Sequence, residues 1–253
     1  MFPISDDNPR RGGLPYVNIA LITLNVLVFL YELGLRGADQ DLFFFKFGLI
    51  PGALIQHPFE NVALVIGSQE VTGPLPAWAT LFTSMFIHGG ILHIVGNMVF
   101  LWVFGDNVED RFGHVNYLIF YVAMGLGAAL SQVFIDVNST IPTVGASGAI
   151  AGVLGAYLVL FPFRQIRTVI IFFFITVFRI PAIIVLGFWI LLQFFSGITS
   201  ISGVTTTGVA YWAHIGGFVA GALTTMLLNL WVWGQRAFPR RSDPNGYWRG
   251  RRF

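Results

Sequence analysis

The stretch TVGASGAIAGVLGAY, residues 143–157, decides how this chain is read. It sets one hydroxyl, Ser147, among glycines and alanines at the mouth of an apolar run. On a helix, Gly148, Gly152 and Ala156 share one face, and Ala151 and Gly155 lie beneath Ser147. Small-xxx-small faces of this kind let helix backbones approach closely in lipid. A serine flanked by glycines is more often a packing residue than a reactive one, so its meaning depends on what the rest of the chain brings to it.

The composition places that run in a bilayer. Hydrophobic residues make up 55% of the 253 positions and charged residues 10%, and the mean hydropathy is +0.74. Soluble domains carry roughly a quarter of charged residues. The pattern predicts one membrane domain, residues 15–234, between an N-terminal tail, 1–14, and a basic C-terminal tail, 235–253. With no cysteine, disulfides and thiolate chemistry are excluded. The pI near 9.2 comes from arginines in the tails and short breaks, which suits a membrane surface better than nucleic acid. Both tails, rich in Pro, Gly and Arg, are expected to be disordered near anionic headgroups.

A span needs roughly 20 apolar residues. Six candidates follow, at 16–33, 91–104, 115–135, 147–161, 181–198 and 208–233. The second and fourth are short, so one end of each is expected to lie submerged. The apolar piece between Arg164 and Arg179 is too short to cross and is assigned to the interface. Arginines cluster before the first span, after the second, between the fourth and fifth and after the sixth, leaving only Arg36 and Lys46 opposite. The positive-inside rule therefore puts both termini in the cytoplasm. The segment 34–90, with its aromatic residues and prolines, then faces outward and is expected to dip into the outer interface.

Under this topology Ser147, His214, His93 and Asn97 fall at one depth in the outer half of the bilayer. His93 and Asn97 are four apart and stack on one helical face. Gly217 and Gly221 form GxxxG on the face of His214, a complement to the glycines after Ser147. A serine needs a base and needs donors for the oxyanion formed on attack. His214 is the candidate base, and Asn97, His93 and the Ser147 N–H are the candidate donors. No Asp or Glu lies between Asp136 and Asp243, so a Ser-His dyad is the version available. Ionisable groups inside spans are costly and tend to mark function. His88 is either a loop residue or a partner of that set, His57 and His114 read as interfacial, and no third ligand accompanies His88 and His93 to hold zinc.

These motifs resemble the rhomboid family of intramembrane serine proteases over residues 81–223. HGGILHIVGN matches the family's second-helix motif at His88, His93 and Asn97; FGDNVEDRFG resembles that helix's cytoplasmic end with Glu109 and Gly113. GASG, with Gly145, Ser147 and Gly148, resembles the nucleophile motif, and AHIGGFVAGAL the sixth-helix motif with His214, Gly217 and Gly221. The resemblance implies an all-α, six-transmembrane-helix bundle that cleaves single-pass transmembrane substrates near their outer ends, with no cofactor and no metal. It implies a catalytic dyad of Ser147 and His214, with Asn97 and His93 lining the oxyanion hole. The location implied is a multi-pass one in a cell membrane, the plasma (inner) membrane of a bacterium. Two departures stand out. Ala151 replaces an aromatic residue that in some members stacks on the catalytic imidazole, and Trp78 is followed by Ala79 where many carry arginine. Two other classes stay open from the residues alone: a non-catalytic client-binding relative, and a transporter with broken helices.

Overall fold

Six apolar helices stand where the sequence has its six apolar runs, in a computed structural model that describes residues 2–8, 13–66, 69–171, 175–201 and 209–237. In chain order the elements begin with β1 (Phe2–Asp6), α1 (Tyr16–Glu32), α2 (Ala38–Phe47), α3 (Pro51–Gln56), β2 (Asn61–Ile66) and β3 (Gln69–Pro76). A short α4 (Thr80–Thr83) leads to α5 (Ile91–Phe112), α6 (His114–Ile135) and α7 (Ser147–Leu160). The chain continues through β4 (Gln165–Ile171), β5 (Ile175–Pro181), α8 (Ala182–Ile201) and α9 (Tyr211–Ala237). By length and composition α5, α6, α8 and α9 each suffice to cross a membrane, while α1 and α7 are shorter apolar helices. The 14 residues of α7 span about 21 Å at ~1.5 Å per residue, against a hydrocarbon core of roughly 30 Å. The expected run after Tyr211 is thus a helix, and residues 202–208 and 238–253, which hold the start of the sixth span and most of the C-terminal tail, lie outside the described residues.

Three expectations need correction. The expected short second span does not stop at Phe104: α5 continues to Phe112 and ends at Gly113, whose φ of 79° lies in the left-handed region that favours glycine. Hydropathy falls at Asp106 and Asn107, but no proline breaks the backbone there, and those polar groups have partners. The fold is mainly helical rather than all-α. Among the described residues it contains a three-stranded antiparallel sheet, β1-β4-β5, and the hairpin β2-β3. Runs of Ile, Val, Thr and Phe bounded by Pro162 and Pro181 favour extended backbone over a short interfacial helix. The N-terminal tail is correspondingly not disordered at residues 3–6, which pair with β4. The outer segment is folded too, as α2, α3 and β2-β3 around Phe45, Ile50, Val62 and Ala77.

The bundle is centred on α7, in which every residue from Gly148 to Tyr157 is buried. Glycine sets its distance to α9. A Cβ added at Gly221 would strike the Gly152 carbonyl, one at Gly217 the Gly148 carbonyl, and one at Gly155 the Phe218 carbonyl. Without hydrophobic drive between helices in lipid, such close packing and polar bonds hold them together. Polar clamps secure α1. Glu109, at the end of α5, accepts hydrogen bonds from the first-turn N–H groups of Val17 (3.0 Å) and Asn18 (2.7 Å), donors that a helix leaves unpaired. Asn18 in turn donates to the Leu101 carbonyl (3.0 Å) and accepts from the Tyr117 hydroxyl (2.8 Å), joining α1, α5 and α6. At the other end Glu32, fully buried, accepts from the His88 backbone N–H.

The small sheet is tied to the helices by Asp6. Its carboxylate accepts from Tyr157 on α7 (2.5 Å) and from Asn107 Nδ2 on α5 (2.9 Å). Burial raises the Asp6 pKa above the ordinary carboxylate value, with the Tyr157 bond opposing. A raised folded-state pKa contributes stability that is present at low pH and is lost as pH rises through the folded value.

Two outcomes follow from these contacts. Gly221→Ala should cost about 2–3 kcal/mol in steric-trapping unfolding, because backbone faces the new methyl. Gly127→Ala, whose nearest neighbour would be the Ala220 methyl at 3.9 Å, should be neutral. Asp6→Ala should destabilise by about 1–2 kcal/mol by orphaning Tyr157 and Asn107. Asp6→Asn should flatten the loss of stability from the ordinary carboxylate range up through the raised Asp6 pKa, read from thermal unfolding against pH.

Candidate active site

Ser147 is the first residue of α7. The chain entering it is fixed by a two-way backbone bridge between Thr143 and Leu49 (3.0 and 2.7 Å) and by the Gly145 N–H, which donates to the Ser84 carbonyl at 2.8 Å. Gly145 has φ of 130°, and a Cβ there would stand 2.9 Å from the His93 ring. Only glycine meets both conditions. The same bonds answer the missing arginine after Trp78: the outer segment is anchored by Ser84, by Leu49, and by the Thr83 hydroxyl on the Phe47 carbonyl at 2.6 Å.

The Ser147 Oγ lies 2.7 Å from His214 Nε2. His214 sits one turn into α9 and is itself buried. Its other nitrogen, Nδ1, is 2.7 Å from Gln193 Oε1 on α8. An amide oxygen only accepts, so Nδ1 carries the proton and Nε2 presents its lone pair to the serine. The Trp189 ring lies beside the imidazole, centroids 5.9 Å apart and planes 33° from parallel, and Tyr211 meets it edge-on at 6.4 Å. A ring and a hydrogen-bond acceptor for His214 thus both come from α8, one turn apart, where the residue four after Ser147 is Ala151.

His93 and Asn97 project from α5 into the same cavity of about 650 Å³, which Ser147, His214, Trp189 and Phe100 also line. The His93 Nδ1 accepts from the Gly89 N–H at 3.3 Å, so its Nε2 is the protonated nitrogen. Asn97 Nδ2 is buried with no acceptor among the described residues. The Ser147 N–H belongs to the first turn of α7, whose amides lack intrahelical acceptors and lie at the positive end of the helix dipole. His88 is fully buried, with its ring edge-on to His93 at 5.1 Å. Burial, then the neighbouring His93, pushes its pKa down to about 4, so it is neutral at neutral pH. Of the remaining histidines, His114 opens α6 and bonds Glu109 at 2.5 Å, and His57 pairs with Glu60 at 3.2 Å, each away from the cavity.

The structure therefore brings together Ser147, His214, His93 and Asn97, with Gly145, Gly148, Gly217 and Gly221 in the adjoining backbone contacts, and sets His88 behind His93. Two contributors escaped the sequence reading, Gln193 and Trp189. Their signal was present: Gln193 is the one amide in the apolar stretch 181–198, four residues after an aromatic. A search for a carboxylate partner passes over it. As chemistry, the arrangement holds a hydroxyl against an oriented base, with N–H donors around the space where a carbonyl oxygen would gain charge.

A family model described as Rhomboid domain matches residues 76–230, well over half of the chain and inclusive of every cavity residue named above. RHOMBOID-like protein 1 of Arabidopsis thaliana is 31% identical over 189 residues, which is 74% of this chain and 42% of that protein. Rhomboid protease GluP of Bacillus subtilis (strain 168) is 34% identical over 160 residues, 60% of this chain and 26% of that protein. The mitochondrial Rhomboid protein 1 of Saccharomyces cerevisiae (strain ATCC 204508 / S288c) is 28% identical over 176 residues, 67% and 46% respectively. The chain spans less than half the length of each of these relatives. It is a member of the Rhomboid domain family.

Proposed function

We propose that this chain is an intramembrane serine endopeptidase that cleaves single-pass transmembrane proteins near the outer membrane boundary. The observation that carries this reading is the 2.7 Å contact between Ser147 Oγ and His214 Nε2, with the Nδ1 proton of the same imidazole fixed by Gln193. Similarity to a relative named a rhomboid protease supports it. The proposed orientation, with both termini cytoplasmic, rests on the arginine distribution.

In this mechanism Ser147 Oγ attacks the scissile carbonyl carbon while its proton passes to His214 Nε2. The carbonyl oxygen becomes an oxyanion, met by Asn97 Nδ2, the His93 Nε2–H and the Ser147 N–H. Collapse expels the amine, which takes the proton from His214, and leaves an acyl-enzyme. Water deprotonated by the same nitrogen attacks that ester and restores the serine. The Gln193 oxygen partners the imidazolium formed in each half without placing a second charge in the bilayer, where a buried carboxylate is costly. Glycines around the cavity favour small side chains at the cut. A substrate helix has to unwind before its peptide bond is exposed, so Gly and Pro near the outer boundary favour cleavage. A client-binding scaffold would not need an oriented base at hydrogen-bond distance from a hydroxyl, and this favours the hydrolase.

A fluorophosphonate probe is the direct test. It should label the purified chain and fail to label Ser147→Ala and His214→Ala; equal labelling of all three would overturn the assignment. Gln193→Met keeps the size and loses the acceptor. It should lower kcat by roughly ten- to a hundredfold through a misaligned base, with KM and thermal stability little changed, in cleavage assays on a reconstituted substrate.

A further inference from the structure

The pair β4-β5 takes no part in the cavity, and packing leaves its arginines unexplained. Its register sets Arg167 directly opposite Arg179 and Val169 opposite Val177. Alternation puts these pairs on one face and Ile166 and Thr168 on the other. Ile166 and Thr168 are fully buried, whereas Arg167, Arg179 and Val177 are exposed, so the arginine face points away from the helices. β1 extends that face, with Ser5 beside Arg167 and Phe2 beside Val169. The outward surface is therefore a row of Ser5, Arg167 and Arg179, followed by an apolar row of Phe2, Val169 and Val177.

Like charges directly opposite in adjacent strands destabilise the pairing. Neither arginine has an ion-pair partner among the described residues. The bonds from Ala182 to Arg164 and from Ile183 to Pro162 at the base of the pair hold the register, so the cations stay opposite, and an anion between the two guanidiniums would convert repulsion into bidentate hydrogen bonds. The position of the row identifies the anion. The sheet joins the ends of two apolar helices, with the Ala182 N–H bonded to the Arg164 carbonyl (2.8 Å) and the Ile183 N–H to the Pro162 carbonyl (2.9 Å). Arg179 stands three residues before Ala182 in extended chain, about 10 Å from the start of α8. At that height beside a bilayer the abundant anion is a lipid phosphate, whose acyl chains run back toward α8 and the hydrocarbon.

We propose that the outward face of β1-β4-β5 binds an anionic glycerophospholipid of the leaflet bordering the ends of α7 and α8. Its phosphate sits between Arg167 and Arg179 beside Ser5, its acyl chains run toward α8, and its headgroup extends over Val169 and Val177. This requires only that the helices cross a bilayer, and it stands apart from the protease reading. Because β1 reaches α5 and α7 through Asp6, an occupied site also strengthens the docking of the N-terminal strand.

The chain has no cysteine, so Val177→Cys gives a unique nitroxide site on the proposed surface. It is placed in nanodiscs of phosphatidylcholine alone or with a quarter of phosphatidylglycerol. With both arginines present, the anionic lipid should lower the label's accessibility to a water-soluble nickel chelate, because the bound headgroup covers the adjacent row. Equal accessibilities in the two lipids would refute the proposal, and so would inorganic phosphate in the neutral discs reproducing the change. Native mass spectrometry of detergent-purified protein supplies a second measurement. R167Q/R179Q should lose bound phosphatidylglycerol by roughly tenfold or more, R167K/R179K should keep an intermediate amount, and Arg36→Gln should change nothing. Undiminished retention in R167Q/R179Q would equally overturn the site, and if that variant does not fold the label comparison in the intact arginine background still decides.

Discussion

The distance between α7 and α9 is the constraint on which the rest of the molecule depends. In water two helices are pressed together by the exclusion of apolar surface, but in lipid that drive is absent and approach is limited by side-chain bulk. Glycine at 148, 152, 155, 217 and 221 removes the bulk, so carbonyls of one helix lie against the backbone of the other. The separation of Ser147 and His214 follows from that contact, since each sits at the same end of its helix. Neither side chain has to reach.

Around this contact several buried polar groups are tied down by hydrogen bonds to other elements. Groups with structural tasks are fully partnered: Glu109 on the first turn of α1, Glu32 on the His88 N–H, Asn18 between Leu101 and Tyr117. The Asn97 amide nitrogen is left without an acceptor, beside the cavity. Asn25 Oδ1, both His88 ring nitrogens, the Tyr121 hydroxyl, Gln132 Oε1 and Trp212 Nε1 also lack partners among the described residues, so what marks Asn97 out is its place on the cavity that Ser147 and His214 line.

Six apolar runs, the glycine faces and the four polar residues at one depth were legible because each rests on a local property: hydropathy, helical spacing, or the rarity of polar groups in spans. The sheet β1-β4-β5 was not. Strand β1 is separated from β4 by some 160 positions, and nothing local to Phe2–Asp6 announces its partner. The extension of α5 past Phe104 escaped for the opposite reason. Asp106, Asn107 and Glu109 look like the end of a membrane run, and they read as helix only once their acceptors and donors on other elements are known. Gln193 and Trp189 were visible in the sequence but lacked an assigned target, because the helix that carries them does not reveal which neighbour it faces.

The bridge between Leu49 and Thr143 ties the segment leading into Ser147 to a scaffold outside the bundle. Three residues separate Thr143 from Ser147, and the one with a left-handed φ, Gly145, is bonded to Ser84. The Ser147 hydroxyl is therefore registered against the folded outer segment as well as against its own helix. Tilting or sliding of α7 pulls on the Leu49–Thr143 bridge and on the Gly145–Ser84 bond, so the start of that helix moves together with the outer segment.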